Sequence, residues 1–227
     1  QWCQFDRLQM VSYCKQVQLL LSIDLATGKT VRGVPEHPRV GQYAYAAHPD
    51  LVKQAIEINL SKKELHEENL LLTIHSHLSQ YNIDPHALEL EITESALLQE
   101  NVIVKENITR LQKLGHTFSI DDYGTGFSSF SNIKTFDFNK LKIDKSFIAN
   151  LPTNKNDQVI VSATIEMAKK LGLKVVAEGV ETKEQAKLLE SFGCDIVQGF
   201  FYSRPLSREE MEKLLLQKKE IKEIDKK

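Results

Sequence analysis

From its midpoint onward the chain repeats one unit: an amphipathic helix, a glycine, a short apolar run rich in β-branched residues, then an acidic or amide residue. The unit reads Leu114-Gly115-His116-Thr117-Phe118-Ser119-Ile120-Asp121 at its first occurrence. It returns as Leu171-Gly172-Leu173-Lys174-Val175-Val176-Ala177-Glu178, and again as Phe192-Gly193-Cys194-Asp195-Ile196-Val197-Gln198. Each glycine stands where a helix C-terminus needs a left-handed residue, and each run is short and apolar like a buried parallel strand. Thr182 with Gln185, and Ser207 with Glu210, have the spacing of capping boxes. Repeated helix–glycine–strand units predict βα repeats and a parallel sheet. Further strands are predicted over 18–24, 30–34, 55–60, 88–92 and 139–143, and with the three above they make the eight that close a (β/α)8 barrel. An open doubly wound sheet is the rival, but no glycine-rich dinucleotide fingerprint follows a strand.

A chain of 227 residues, 41% of them hydrophobic, can bury one such core and has no room for a second domain of ordinary size. The expected division is an N-terminal extension over 1–15, the barrel over 16–216 and a lysine-rich tail over 217–227. The start at Gln1 suggests a piece of a longer chain. The N-terminal quarter fits the repeat less well. Pro35-Glu36-His37-Pro38 blocks both helix and ladder, so 35–49 is expected to be irregular and to leave an opening between the second and third strands. The formal net charge of −2 argues against DNA, RNA or a membrane surface as partner, since each attracts a basic excess. Cys3, Cys14 and Cys194 form neither a CxxC pair nor a zinc grouping. With no apolar run of membrane-spanning length and no leader pattern, a cytoplasmic location is expected.

In a parallel barrel the chemistry stands at the C-terminal ends of the strands. Those ends carry Asn59, Glu91, Asp121 with Asp122, Lys142, Glu178 and Gln198. One acidic strand end is readily explained as the cap of the next helix; six polar ends in succession are not. An all-oxygen set without Cys or His suits Mg2+ or Mn2+. Adjacent carboxylates at Asp121 and Asp122 can serve two ions, an arrangement that favours in-line displacement at phosphorus.

These residues carry a family resemblance. The chain resembles the EAL cyclic di-GMP phosphodiesterases in five stretches. They are Glu89-Leu90-Glu91-Ile92-Thr93-Glu94-Ser95, Asp121-Asp122-Tyr123-Gly124-Thr125-Gly126-Phe127-Ser128-Ser129, Leu141-Lys142-Ile143-Asp144, Ala177-Glu178-Gly179-Val180-Glu181-Thr182, and Gln198-Gly199-Phe200 running to Ser203-Arg204-Pro205. Asn59-Leu60-Ser61 matches as well, and so does the first hairpin, Ile23-Asp24-Leu25-Ala26-Thr27-Gly28-Lys29. The resemblance implies a modified TIM barrel whose first strand is antiparallel, two divalent metals (Mg2+ or Mn2+), and cleavage of cyclic di-GMP to pGpG. By position, Asn59, Glu91 and Asp121 are implied as ligands of one metal, and Asp121, Asp122 and Glu178 of the second. Lys142 and Gln198 are implied to position water, Glu178 to act also as general base, and Glu94 and Glu181 to anchor the loop from Asp122 to Ser129. The family also leaves a homodimer or a regulatory partner open; the local hint is an apolar helix with Val159, Ile160, Ala163 and Met167.

The departure is as informative as the match. Where the family continues with Glu-Ala-Leu after the first hairpin, this chain reads Pro35-Glu36-His37-Pro38. The connection to Asn59 is shorter by roughly thirty-five residues, about one βα unit. One metal ligand is therefore missing, and impaired hydrolysis is expected; a catalytically silent module that binds cyclic di-GMP or a protein is the alternative. If activity persists, Glu57 is the candidate substitute ligand, because alternation puts it on the same face as Asn59. The competing expectation is that Glu57 pairs with a lysine or sits in the gap, and Glu36 is the second candidate.

Overall fold

The computed structural model describes residues 19–24, 30–35, 56–80, 84–97, 101–125, 133, 135–202 and 204. All eight expected strands form: β1 (Leu19–Asp24), β2 (Thr30–Pro35), β3 (Ile56–Leu60), β4 (Leu88–Thr93), β5 (Thr117–Tyr123), β6 (Lys140–Ile143), β7 (Lys174–Ala177) and β8 (Ile196–Gln198). They make one sheet in the order β2-β1-β8-β7-β6-β5-β4-β3. From β3 to β8 every ladder is parallel, whereas β1 is antiparallel to both β2 and β8. This is the TIM-like α/β architecture with a reversed first strand. Among the described residues β2 and β3 share no ladder, although their Cα atoms approach within 8 Å. Of the segment expected to be irregular, Pro35 instead closes β2 opposite Leu19, where an edge strand tolerates its missing N–H; residues 36–49, the N-terminal extension, the charged tail and the Ser207–Glu210 cap lie outside the described residues.

Helices α1 (Lys62–Leu65), α2 (Leu70–Gln80), α3 (Val102–Lys113), α4 (Lys145–Ala149), α5 (Lys155–Lys170) and α6 (Lys183–Phe192) connect the strands. The glycines of the repeat follow α3, α5 and α6 as expected: Gly115, Gly172 and Gly193 take φ of 95°, 78° and 80°, where a β-carbon would be strained. Thr182 and Gln185 close a reciprocal capping box at the start of α6, with Thr182 Oγ1 accepting from Gln185 N at 3.2 Å.

Alternation along the strands then divides the molecule. Leu90, Ile92, Phe118, Ile120, Leu141, Ile143, Val175 and Val197 are buried in the apolar layer with Leu65, Leu70, Ile108, Leu111, Ile165 and Leu189 of the helices. The intervening positions Glu89, Glu91, Ser119, Asp121, Lys142 and Gln198 are buried too, but on the opposite, concave face. The hydrophobic core is thus the shell between strands and helices, while the barrel interior is largely charged, with Val176 and Ile196 as its apolar part on β7 and β8.

At the entry to β5, His116 is 4% exposed and packs edge-on against His75 of α2, with ring centroids 5.7 Å apart. Burial, reinforced by His75, holds its pKa down at about 4. The unfolded chain takes up this proton near pH 6.5 and the folded chain only near 4, so the native state loses stability as pH falls through that window and loses no more below it. Urea denaturation between pH 7 and pH 4.5 should report a loss from this site of roughly 2–3 kcal/mol, absent from His116→Phe. Identical pH slopes for parent and variant would refute the assignment.

Candidate functional site

The site is built from the ends of successive strands. Asn59 on β3 is the Cα partner of Glu91 on β4, Thr93 that of Asp121 on β5, and Lys142 on β6 that of Val176 on β7. Glu178 follows β7 directly, its N–H donating to Ile143 O at 3.1 Å and carrying the ladder one residue further. Gln198 ends β8, and Gly199 after it passes so close to the Val180 backbone that no β-carbon would fit. That approach permits two hydrogen bonds of 3.0 Å, Val180 N to Gln198 O and Phe201 N to Val180 O, which fix the last strand end against the one before.

Lys142 stands at the centre. Its Nζ donates to Glu91 Oε1 at 2.5 Å and lies 2.7 Å from Glu178 Oε1 and 3.4 Å from Asp121 Oδ1. Burial alone would lower the pKa of this lysine, but Glu91, Glu178 and Asp121 outweigh it and hold the ammonium well above its ordinary range. One ammonium cannot satisfy three carboxylates. Burial pushes Glu91 well above the ordinary carboxylate range; Glu57 and Asp121 reinforce it, and Lys142 offsets it only in part. Glu178 is likewise raised, by burial first, against the pull of Lys142. Asp121 Oδ1 is shut off from solvent and accepts no hydrogen bond.

Asp122 has φ 52°, an unusual backbone for a residue other than glycine. The β5–β6 register explains it. Ile120 pairs with Leu141 but Tyr123 with Ile143, so β5 carries one extra residue in a bulge over Asp121 and Asp122. The bulge interrupts the alternation that would send two adjacent carboxylates to opposite faces. Burial and the charges of Asp121 and Asp144 raise the Asp122 pKa. Downstream, Gly124 N donates to Glu94 Oε2 at 3.0 Å, tying the start of the following loop to the end of β4. Glu181 stands exposed at the start of α6, and the loop beyond Thr125 that it was expected to hold lies outside the described residues.

Glu57 does not join this cluster. It lies one layer deeper, with Oε1 accepting from Lys140 Nζ at 3.1 Å, and Lys140 also pairs with Glu89 Oε2 at 2.6 Å. The lysine pairing set against the substitute-ligand reading is the arrangement found, with Glu57 and Glu89 sharing one ammonium. Lys140 and Glu89 are the residues the sequence reading passed over. Their signal was present in Glu89-Leu90-Glu91 and Lys140-Leu141-Lys142, where charge recurs on one face of two strands too apolar to be exposed on the other.

The donors suit a hard divalent cation: carboxylate and amide oxygens, an excess of negative charge, and a buried carboxylate oxygen without a hydrogen bond. Among the described residues no three carboxylate, histidine or cysteine side chains converge closely enough to cage a cation unaided, since Lys142 stands between them. Ammonium and cation would compete for the same oxygens.

The family described as EAL domain matches residues 41–205. The signalling protein YkoW of Bacillus subtilis is 40% identical over 163 residues, 72% of this chain and 20% of that protein. The cyclic di-GMP phosphodiesterase NbdA of Pseudomonas aeruginosa is 39% identical over 160 residues, 70% of this chain and 20% of that protein. The chain therefore spans about a fifth of the length of the relatives it matches. The crystal structure of the EAL domain of Mycobacterium smegmatis DcpA superposes with a TM-score of 0.78 at 32% identity, covering 89% of this chain and 96% of that one.

Competition at the site has a measurable consequence. Lys142→Met should bind Mn2+ at least as tightly as the parent in calorimetric titration, because the variant frees three carboxylates for the cation. A tenfold or greater loss of affinity would mean that the lysine supports cation binding instead of opposing it.

Proposed function

The chain belongs to the EAL domain family, and from that premise we propose that it binds cyclic di-GMP at this rim and hydrolyses one phosphodiester bond to give pGpG, more slowly than family members that keep the Glu-Ala-Leu segment. The observation that carries the reading is the group of Glu91, Asp121 and Glu178, delivered from three strands to one ammonium that cannot neutralise them all. The name of the NbdA relative supports the substrate.

Asn59, Glu91 and Asp121 would hold one divalent cation, Mg2+ or Mn2+, and Asp121, Asp122 and Glu178 the second. Bound there, the cations would supply charge stabilisation to the phosphate oxygens in the transition state and favour deprotonation of the attacking water. Lys142, released from its carboxylates, keeps its proton and holds a phosphate oxygen or the water in line. Glu178, at the end of β7 beside Lys142, would also receive the proton that the water gives up. Gln198, buried beside them at the end of β8, orients the same water through its amide. Glu94, through Gly124, sets the start of the loop after Asp122. The absence of Glu-Ala-Leu after Val34 removes one ligand and favours a second reading, a module that binds cyclic di-GMP without turning it over. Among the described residues no helix is long and apolar enough to cross a membrane. Val159, Ile160 and Ala163 are exposed together on α5 and offer a face for self-association.

The test is turnover of cyclic di-GMP by the 227-residue chain at saturating Mn2+, with pGpG followed by chromatography and nucleotide binding by calorimetry. Binding with hydrolysis on the order of 10²-fold below an intact EAL domain is expected, because a lost ligand harms the charge-building transition state more than the ground state. Asp121→Ala should abolish both Mn2+ binding and residual turnover. Binding with no turnover would select the second reading, and no nucleotide binding at all would defeat both.

A further inference from the structure

Below the rim, Lys140, Glu57 and Glu89 form a second buried ionic layer. Its geometry is unusual in what it spans. Lys140 belongs to β6, Glu89 to β4 and Glu57 to β3, so one ammonium reaches across β5 to two strands beyond it. The path is open because the Cα partner of Lys140 on β5 is Ser119, a small and fully buried residue. All three charged side chains are enclosed: 17% exposed for Lys140 and Glu57, and 3% for Glu89. Burial disfavours the charge on Lys140, but Glu57 and Glu89 overcome that and raise its pKa.

The strand at the far end of this reach is one of the two edge strands of the sheet, the other being β2. Among the described residues β3 has a ladder on the β4 side alone; on its other side it faces β2 without hydrogen bonds. β3 also carries Asn59, two residues above Glu57 on the same face. We infer that Lys140 is a positioning residue, a tie across the barrel interior that holds the open-edged strand β3 in place and with it the rim position of Asn59. The part concerning Asn59 as a cation ligand rests on the function proposed above; the tie itself does not.

Physically the tie substitutes side-chain charge for missing backbone pairing. An edge strand with one ladder opens more readily than a strand held on both sides, because its amides are freed by breaking contacts on one side only. Opening β3 withdraws Glu57 while Lys140 stays enclosed beside Glu89, and depriving a buried ammonium of a partner is costly, which makes that opening rarer. Glu89 shares the ammonium and fixes its height in the barrel, so the tie pulls β3 toward a defined point.

The experiment compares the parent chain with Glu57→Gln, Lys140→Met and the double variant, using hydrogen exchange resolved over residues 56–60 and Mn2+ titration. Glu57→Gln keeps shape and cuts only the β3 attachment, so it decides the matter even if Lys140→Met does not fold. Exchange over 56–60 should rise about tenfold or more in Glu57→Gln, with β7 and β8 unchanged. The double variant should be no worse than Lys140→Met alone, since both changes cut one tie. Mn2+ affinity should fall roughly tenfold as the exchange rises. Unchanged exchange at 56–60, or an equal rise in every strand, would overturn the tie. Raised exchange with unaltered Mn2+ affinity would overturn the positioning of Asn59. A parent that binds no Mn2+ would defeat the proposed function while leaving the exchange comparison to judge the tie.

Discussion

The rest of the site depends on one ammonium shared among carboxylates from different strands. Lys142 keeps its charge in a buried setting only because Glu91, Glu178 and Asp121 surround it, and these carboxylates are tolerable there only because Lys142 is present. Taking away one partner of a buried pair typically costs about 3–5 kcal/mol, a large part of the roughly 5–15 kcal/mol that holds a domain folded. The partners sit on β4, β5, β6 and the end of β7, so a one-residue slip of any of these strands would turn a charge into the apolar shell. The cluster therefore constrains register as strongly as it prepares chemistry.

That constraint explains why the core lies where it does. A parallel barrel ordinarily fills its interior with branched apolar side chains. Here the interior holds Glu57, Glu89 and Lys140 beneath Glu91, Asp121, Lys142 and Glu178, and the apolar residues of the same strands face outward onto the helices. Stability comes from the outer shell, where Leu90, Phe118, Leu141 and Val175 meet Ile108, Leu111 and Ile165. The interior between β3 and β6 is left to charge. Even there the balance is uneven: the lower layer has two carboxylates to one ammonium and the upper layer three to one. The unneutralised charge grows toward the rim, which is where a cationic ligand could reach it.

Backbone irregularity is concentrated at the same rim. The β5 bulge gives Asp122 its positive φ, and the close pass of Gly199 against Val180 locks the end of β8. Both adjust the direction of polar side chains at strand ends without disturbing the ladders below them. Strain of this kind persists only where the surrounding structure fixes it, and here the flanking strands β4, β6 and β7 do so.

The fold was legible because its determinants are local. The helix–glycine–strand repeat, the capping pair Thr182 and Gln185, and the apolar alternation of Leu88 to Ile92 each act within a few residues, and the eight strands stand where those signals put them. The candidate rim residues were legible for the same reason, since a strand end is a local feature. Three things were not. The bulge that realigns Asp121 and Asp122 exists only in the register between β5 and β6. The partner of Glu57 was undetermined because Lys140 is 83 residues away and is reached only across two neighbouring strands, past Ser119. The sharing of Lys142 among Glu91, Asp121 and Glu178 likewise follows from strand order, not from spacing along the chain. By itself the sequence determined which residues alternate, cap and turn; tertiary structure alone decided which charges meet, because a buried ion pair depends on distance through space and on the water excluded around it.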